Sequence, residues 1–272
     1  MRVFAQITAV ALCALMFGGA AEADSTKLRK LGTKNDALAW QSVGRLDLGR
    51  SGYCTGTLIA PDMVLTAAHC VYQNGQLVAA QDITFRAGLT NGDAAAKRTV
   101  SQIEAHVGYD PAAGFDGNNI RHDLALVRLA EPIPSHQLAP FRVFSGAMPK
   151  GPVSVVSYGR GRSDALSRQN QCQVLGMQER LVVMDCDVTF GSSGAPVFTH
   201  LNGRGQIASV ISGIGTRGDK KVAFGMALPQ LISDLKRQMR ANKARPGAKI
   251  RRVTVGTRKT SSGAKFVRAN GS

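Results

Sequence analysis

From Trp40 onward the chain is written in short apolar or alternating runs: "GTLIA", "MVLTAA", "ITFRAGL", "LALVRLA", "VSVVSYG", "IASVISGI" and "VAFGMAL". Gly, Pro, Asn and Asp punctuate the gaps between them. Successive strand residues face opposite ways, so runs of this length and spacing predict many short strands folded as an all-β sandwich or barrel. The proline-rich "AEPIPSHQLAP" (130–140) predicts a crossover between two halves. In "QLISDLKRQMR" (230–240), Leu231, Ile232, Leu235 and Met239 recur at helical spacing, which predicts one terminal amphipathic helix packed on the β body. Residues 24–36 are polar and charged and read as a flexible lead-in. The loop "GYDPAAGFDGNNIRHD" (108–123) carries Asp110, Asp116, Asn118 and Asn119, but at no EF-hand spacing, and reads as a turn-rich loop.

The ends add a compartment and a charge. Met1 and Arg2, the apolar "ITAVALCALMF" and the small residues ending "AEA" (21–23) have the layout of a signal peptide cleaved after Ala23. The expected destination is secreted or periplasmic. Cys13 leaves with that leader, and Cys54, Cys70, Cys172 and Cys186 remain. Four cysteines allow three pairings; spacing favours Cys54–Cys70 and Cys172–Cys186, each closing a short loop worth roughly 3 kcal/mol in the chain-entropy model. No CxxC pair or histidine cluster marks a metal site. The net charge is +16, and residues 241–272 hold Lys243, Arg245, Lys249, Arg251, Arg252, Arg258, Lys259, Lys265 and Arg268 with no acid. Residues 242–272 read as a basic, disordered tail with a weak strand signal at "IRRVTV". It is either simply solvated or a docking element for an anionic envelope surface. No nucleic-acid-binding motif or aromatic stacking pattern accompanies it, so no specific nucleic acid is expected.

Three stretches carry chemistry. "VLTAAHC" (64–70) ends an apolar strand with His69, "RHDLALVRL" (121–129) opens one with Asp123, and "GSSGAP" (191–196) sets Ser192 and Ser193 between glycines. A serine hydroxyl is a poor nucleophile until a base takes its proton. Histidine is such a base, and a buried carboxylate selects its tautomer and stabilises the imidazolium. A glycine-flanked bend lets two backbone N–H groups point at one spot, where an oxyanion forms. Each stretch alone has a plain structural reading as a strand end, a cap or a turn; together, in the order His, Asp, Ser, they specify one chemistry.

"CTGTLIAPDMVLTAAHC", "HDLALVRL" and "GSSGAP" resemble the trypsin-like (chymotrypsin-fold) serine peptidases, and most of all the bacterial secreted branch that includes glutamyl endopeptidases. The likeness runs from about Trp40 to Met239. It implies two six-stranded antiparallel β-barrels, an N-terminal one over 37–138 and a C-terminal one with the helix over 139–241, with the active site between them. Carried over by residue, His69 is the general base and acid, Asp123 orients it, and Ser193 attacks. The N–H groups of Gly191 and Ser193 form the oxyanion hole. Ser212, with Gly213, borders the substrate, and Ser212 either bonds Asp123 or is a surface strand serine. No cofactor is implied; the partner is a protein or peptide substrate, and a monomer is expected.

Two departures bear on regulation and specificity. Ser192 falls where animal relatives hold an aspartate that pairs with a newly cut N-terminal amine, and no "IVGG"-like start precedes Trp40. The expectation is a catalytic loop already formed or held by other contacts. Asp187, six residues before Ser193, falls where trypsin-like enzymes place the carboxylate that binds a substrate Arg or Lys; alternatively, the Cys172–Cys186 bridge turns it aside. The histidine that glutamyl endopeptidases use has Ile211 in its place, which argues against an acidic preference. The rival to an endopeptidase is a catalytically inactive cationic binding protein on the same fold.

Overall fold

In the computed structural model, residues 25–49, 52–200 and 204–242 are described. The expected leader and basic tail lie outside them.

The first half contains β1 (Arg29–Lys30), α1 (Lys34–Ala37), β2 (Val43–Leu48), β3 (Tyr53–Ala60), β4 (Met63–Thr66), the small hairpin β5 (Tyr72–Gln73) and β6 (Gln76–Leu77), β7 (Ile83–Ala87), β8 (Ala96–Ala105), α2 (Gly117–Ile120) and β9 (Ala125–Leu129). Strands β2-β3-β4-β9-β8-β7 close into an antiparallel barrel. The alternation seen in the sequence is the reason: in β7, Ile83, Phe85 and Ala87 are buried while Thr84 and Arg86 are partly exposed. Leu46, Leu58, Val64, Phe85 and Val127 fill the barrel. Each such side chain contributes about 1.5–3 kcal/mol when fully buried.

The second half contains β10 (Pro152–Gly159), β11 (Arg162–Gln178), β12 (Leu181–Met184), β13 (Pro196–Thr199), β14 (Gln206–Arg217), β15 (Lys220–Ala227) and α3 (Pro229–Ala241). Strands β11-β10-β13-β14-β15-β12 close through the β11–β12 pairing, making a second six-stranded barrel. Strand β10 is buried on both faces: Val153 and Val155 enter this barrel's core, whereas Val156 and Tyr158 join a cluster with Leu65 and Leu126 of the first barrel. That cluster joins the two barrels through apolar side chains of both.

The segment 130–151 crosses between barrels and is pinned to the first by Ile133 N–H to Pro61 O (2.7 Å) and Phe141 N–H to Leu58 O (2.9 Å). Helix α3 begins with proline at its start and buries Leu231, Ile232, Leu235 and Met239. It reaches back to the first barrel, where Gln238 Nε2 donates to Ala105 O (2.8 Å). The loop ahead of Asp123 closes on itself through Asn119, whose amide group bonds Asp110 and Gly114 backbone atoms, while Asp116 caps α2.

The lead-in departs from its expectation. From Ser25 it lies along the second barrel: β1 pairs antiparallel with β11, Arg29 opposite Arg168, and Leu31 is fully buried. One apolar side chain and an open strand edge anchor a segment whose composition reads as flexible.

Candidate active site

Strand β4 ends at Thr66, and the chain turns into a short 3-10 turn at His69–Val71. The Cys54–Cys70 disulfide ties this turn to β3, and Cys172–Cys186 forms in the second barrel, the pairing that spacing favours. Asp123 precedes β9 and is 3% exposed. Its Oδ1 accepts the His69 backbone N–H (2.8 Å), and its Oδ2 meets His69 Nδ1 at 2.7 Å. Ser212 Oγ donates to the same Oδ2. With Nδ1–H donating to the carboxylate, the lone pair of the neutral ring resides on Nε2. Burial opposes charge on His69, but the Asp123 carboxylate and its hydrogen bond together outweigh it, holding the imidazole pKa above its ordinary value.

Ser193 stands on the bend between Thr189 and Ala195 and shares one cleft with His69, Asp123 and Ser212. Among the described residues, no hydrogen bond joins Ser193 to the His69 ring; such contacts commonly tighten only when substrate is bound. Gly191 and Gly194 both adopt positive φ, +90° and +79°. At Gly194 a Cβ would run into Thr55 O and Thr66 Oγ1, so the bend seats against the first barrel only with glycine there.

The bend aims two donors. Phe190 O accepts Arg160 N–H (2.8 Å), and Ser192 O accepts Ala195 N–H (2.9 Å). A trans peptide sets its N–H opposite its C=O, so these bonds turn the N–H groups of Gly191 and Ser193 the other way. Neither N–H has a protein partner among the described residues. Thr55 fastens the bend from β3: its N–H donates to Ser193 O (2.8 Å) and its Oγ1 to Gly191 O (2.9 Å).

The pocket beside Ser193 is about 440 Å³ and is lined by Phe115, Phe190, Ile211, Gly213 and Ile214 among others. Gly213 lacks a Cβ where the Phe115 ring packs. Asp187 is not in that lining. It lies on the surface with its side chain 55% exposed, 3.6 Å from Lys221 Nζ. Its neighbours Cys186, bridged to Cys172, and Val188 are buried, and its own N–H donates to Gln169 Oε1 (2.7 Å).

The trypsin family profile matches residues 31–230. The chain belongs to the trypsin family. Among this trypsin-family chain's relatives, serine protease SP24D of Anopheles gambiae is 30% identical over 137 residues, 48% of each chain. Trypsin of Sarcophaga bullata is 31% identical over 109 residues, 39% of each. The matched part thus spans less than half of each relative. In fold, the chain resembles a Glu endopeptidase solved with MPD, at TM-score 0.65 and 18% identity, over 79% of this chain and 97% of that one.

Several contributors escaped sequence reasoning. Thr55 lies inside the quoted "CTGTLIA", but only the fold shows that it reaches 136 residues ahead. Phe115 was hidden in a polar loop, and Arg162 carried no motif.

Proposed function

We propose that the protein is a secreted or periplasmic serine endopeptidase working through a covalent acyl-enzyme. The carrying observation is a histidine gripped twice by one buried carboxylate, facing a cleft that also holds Ser193 and two unengaged, aimed N–H groups. Ser193 Oγ adds to the scissile carbonyl while its proton passes to His69 Nε2. Asp123 stabilises the imidazolium, and the N–H groups of Gly191 and Ser193 hold the oxyanion. The tetrahedral adduct collapses with loss of the amine, which takes the proton from His69. Water then attacks the ester as His69 takes its proton; the second adduct collapses with that proton passing from His69 to Ser193 Oγ, which frees the serine hydroxyl, the neutral ring and the acid product.

The pocket lining supports cleavage after neutral, apolar residues. Asp187 is on the surface beside Lys221, and Asp123, the carboxylate that the described lining does hold, is engaged by His69 and Ser212, so neither recommends a preference for Arg or Lys. The two disulfides suit an oxidising compartment, and no described helix is long and apolar enough to cross a membrane. We read the protein as a monomer whose partner is its peptide substrate, with the basic tail as the element that would hold it at an anionic envelope surface. Kinship with the bacterial secreted branch rests on the fold likeness and the three motifs.

The test is fluorophosphonate labelling of the purified protein beside Ser193→Ala, followed by a peptide-library profile. Labelling of wild type alone, with cleavage after apolar residues, is expected. An unlabelled wild type would favour the inactive binding protein, and dominant cleavage after Arg would restore the Asp187 reading.

A further inference from the structure

We propose that Arg162 is a positioning residue that keeps the Ser193 bend assembled through the buried hydroxyl of Ser192, so that no newly cut N-terminal amine is needed. This rests on the endopeptidase reading above only in what the bend is for; the contacts stand independently of it.

Ser192 is fully buried. Its backbone N–H donates to Thr189 O (2.9 Å), and its Oγ accepts Thr189 N–H (3.3 Å), so the side chain closes the bend on itself. The same Oγ lies 3.2 Å from Tyr158 O and Ser157 Oγ on β10. An Arg162 Nη2–H group reaches both Ser192 Oγ and Ser157 Oγ at 3.2 Å, and Nη1 donates to Ser157 O (3.0 Å) and Ser157 Oγ (3.2 Å). The guanidinium is therefore the donor around which two buried hydroxyls and a carbonyl are arranged. A planar, always-charged fork with fixed N–H directions suits that task, where an ammonium would serve as a point charge only.

The place is built for it. Gly159 is buried, and a Cβ there would stand 2.7 Å from the Arg162 guanidinium carbon and from Thr189 Oγ1. The strand end and turn that carry Arg162 also hold the bend at a second point. Arg160 N–H donates to Phe190 O (2.8 Å) and Thr189 Oγ1 (3.1 Å), and its guanidinium covers the Phe190 ring at 4.4 Å. Residues 159–162 thus orient the peptide whose N–H is Gly191's and fasten the serine next to the nucleophile.

The N-terminal segment does not compete for this place. Thr26 pairs with Gln171, Ser25 Oγ donates to Asp185, and β1 then runs along β11, placing these residues at the far stretch of β11 from Arg162. A positive group at Ser192 is supplied from within the chain.

The experiment compares wild type, Arg162→Lys, Arg162→Met and Ser192→Ala as full-length exported proteins, by hydrogen exchange and by kinetics. In Arg162→Met, the bonded bend amides of Ser192, Gly194 and Ala195 should exchange at least about tenfold faster, while amides of β3 and β14 keep their protection. On a small ester, kcat should fall roughly tenfold to a hundredfold with KM changed less than about threefold, because loosening the anion site forfeits part of what losing a donor costs. Arg162→Lys should recover only part of this, and Ser192→Ala should shift both readouts in the same direction more mildly. Unchanged bend exchange in both Arg162→Met and Ser192→Ala overturns the proposal whatever the activity. If Arg162→Met fails to fold, Ser192→Ala decides alone. If wild type neither labels nor turns over ester, the endopeptidase reading fails while the exchange result still decides this one.

Discussion

Thr55 Oγ1 donates a 2.9 Å hydrogen bond to the carbonyl of Gly191 and accepts one of 3.0 Å from Tyr158 N–H. One buried hydroxyl of the first barrel thereby joins the bend of the proposed nucleophile to β10 of the second. Thr55→Val keeps the shape and strands both partners. Each unsatisfied buried group costs about 1–3 kcal/mol. The expected result is a fall in kcat/KM of roughly tenfold or more, since about 1.4 kcal/mol is tenfold in rate. Thr55→Ser should retain most activity, measured on the same ester.

Gly194 sits at φ +79° with no room for a Cβ against Thr55 O and Thr66 Oγ1. Gly194→Ala must displace the bend or the strand. Loss of fluorophosphonate labelling by more than about a hundredfold is expected, the scale on which anion-site donors act. Thermal unfolding should move down as well, because overpacking costs typically 1–3 kcal/mol.

The pH dependence follows from His69. Its raised pKa means that protonated His69 is favoured in the folded state, so this group's contribution to stability is full below the unfolded value and is lost as pH rises through the folded one. In the proposed mechanism His69 acts as the neutral ring, so activity runs the opposite way: kcat/KM should climb with pH through an ionisation above the ordinary histidine value. Asp123→Asn removes the raising contribution, leaves desolvation, and should move that limb to lower pH while lowering the plateau. An unmoved limb in a pH–rate profile would contradict the coupling.

Asp187 pairs with Lys221 at the surface, an arrangement worth about 0–1 kcal/mol. Asp187→Asn should leave the cleavage profile unchanged in a peptide library. Gly213→Ala should change it, because a methyl there displaces Phe115 from the pocket wall.

Leu31 is 1% exposed and belongs to the cluster that also holds Leu166 and Phe198. Leu31→Ala should cost about 2–5 kcal/mol in chemical unfolding, with kcat unchanged where both proteins are folded. A surface-like cost below about 0.5 kcal/mol would return residues 25–31 to the flexible lead-in that their composition suggests.

Much of the frame was legible because it is local. Period-two burial produced the strands, helical spacing placed Leu231, Ile232, Leu235 and Met239 inward, and two short cysteine spacings became two bridges. The contact between His69 and Asp123, 54 residues apart, was readable only because the motif around each is distinctive. Asp187 shows the limit of such reading. Its offset from Ser193 matched the family's pocket carboxylate, yet its side chain is exposed beside Lys221 of β15 and outside the lining of the pocket next to Ser193.

By itself the sequence carried the strand pattern, favoured one cysteine pairing of three, and held the family's motifs around His69, Asp123 and Ser193, the side chains proposed as base, orienting acid and nucleophile. Those are properties of residue type and short spacing, which a strand or a turn converts directly into position. The tertiary structure alone decided that Thr55, Arg160 and Arg162 grip the bend, that Phe115 walls the pocket and that residues 25–31 are anchored. Each of these depends on contacts between elements far apart in the chain, where barrel closure and the meeting of two barrels set distances that no local pattern encodes.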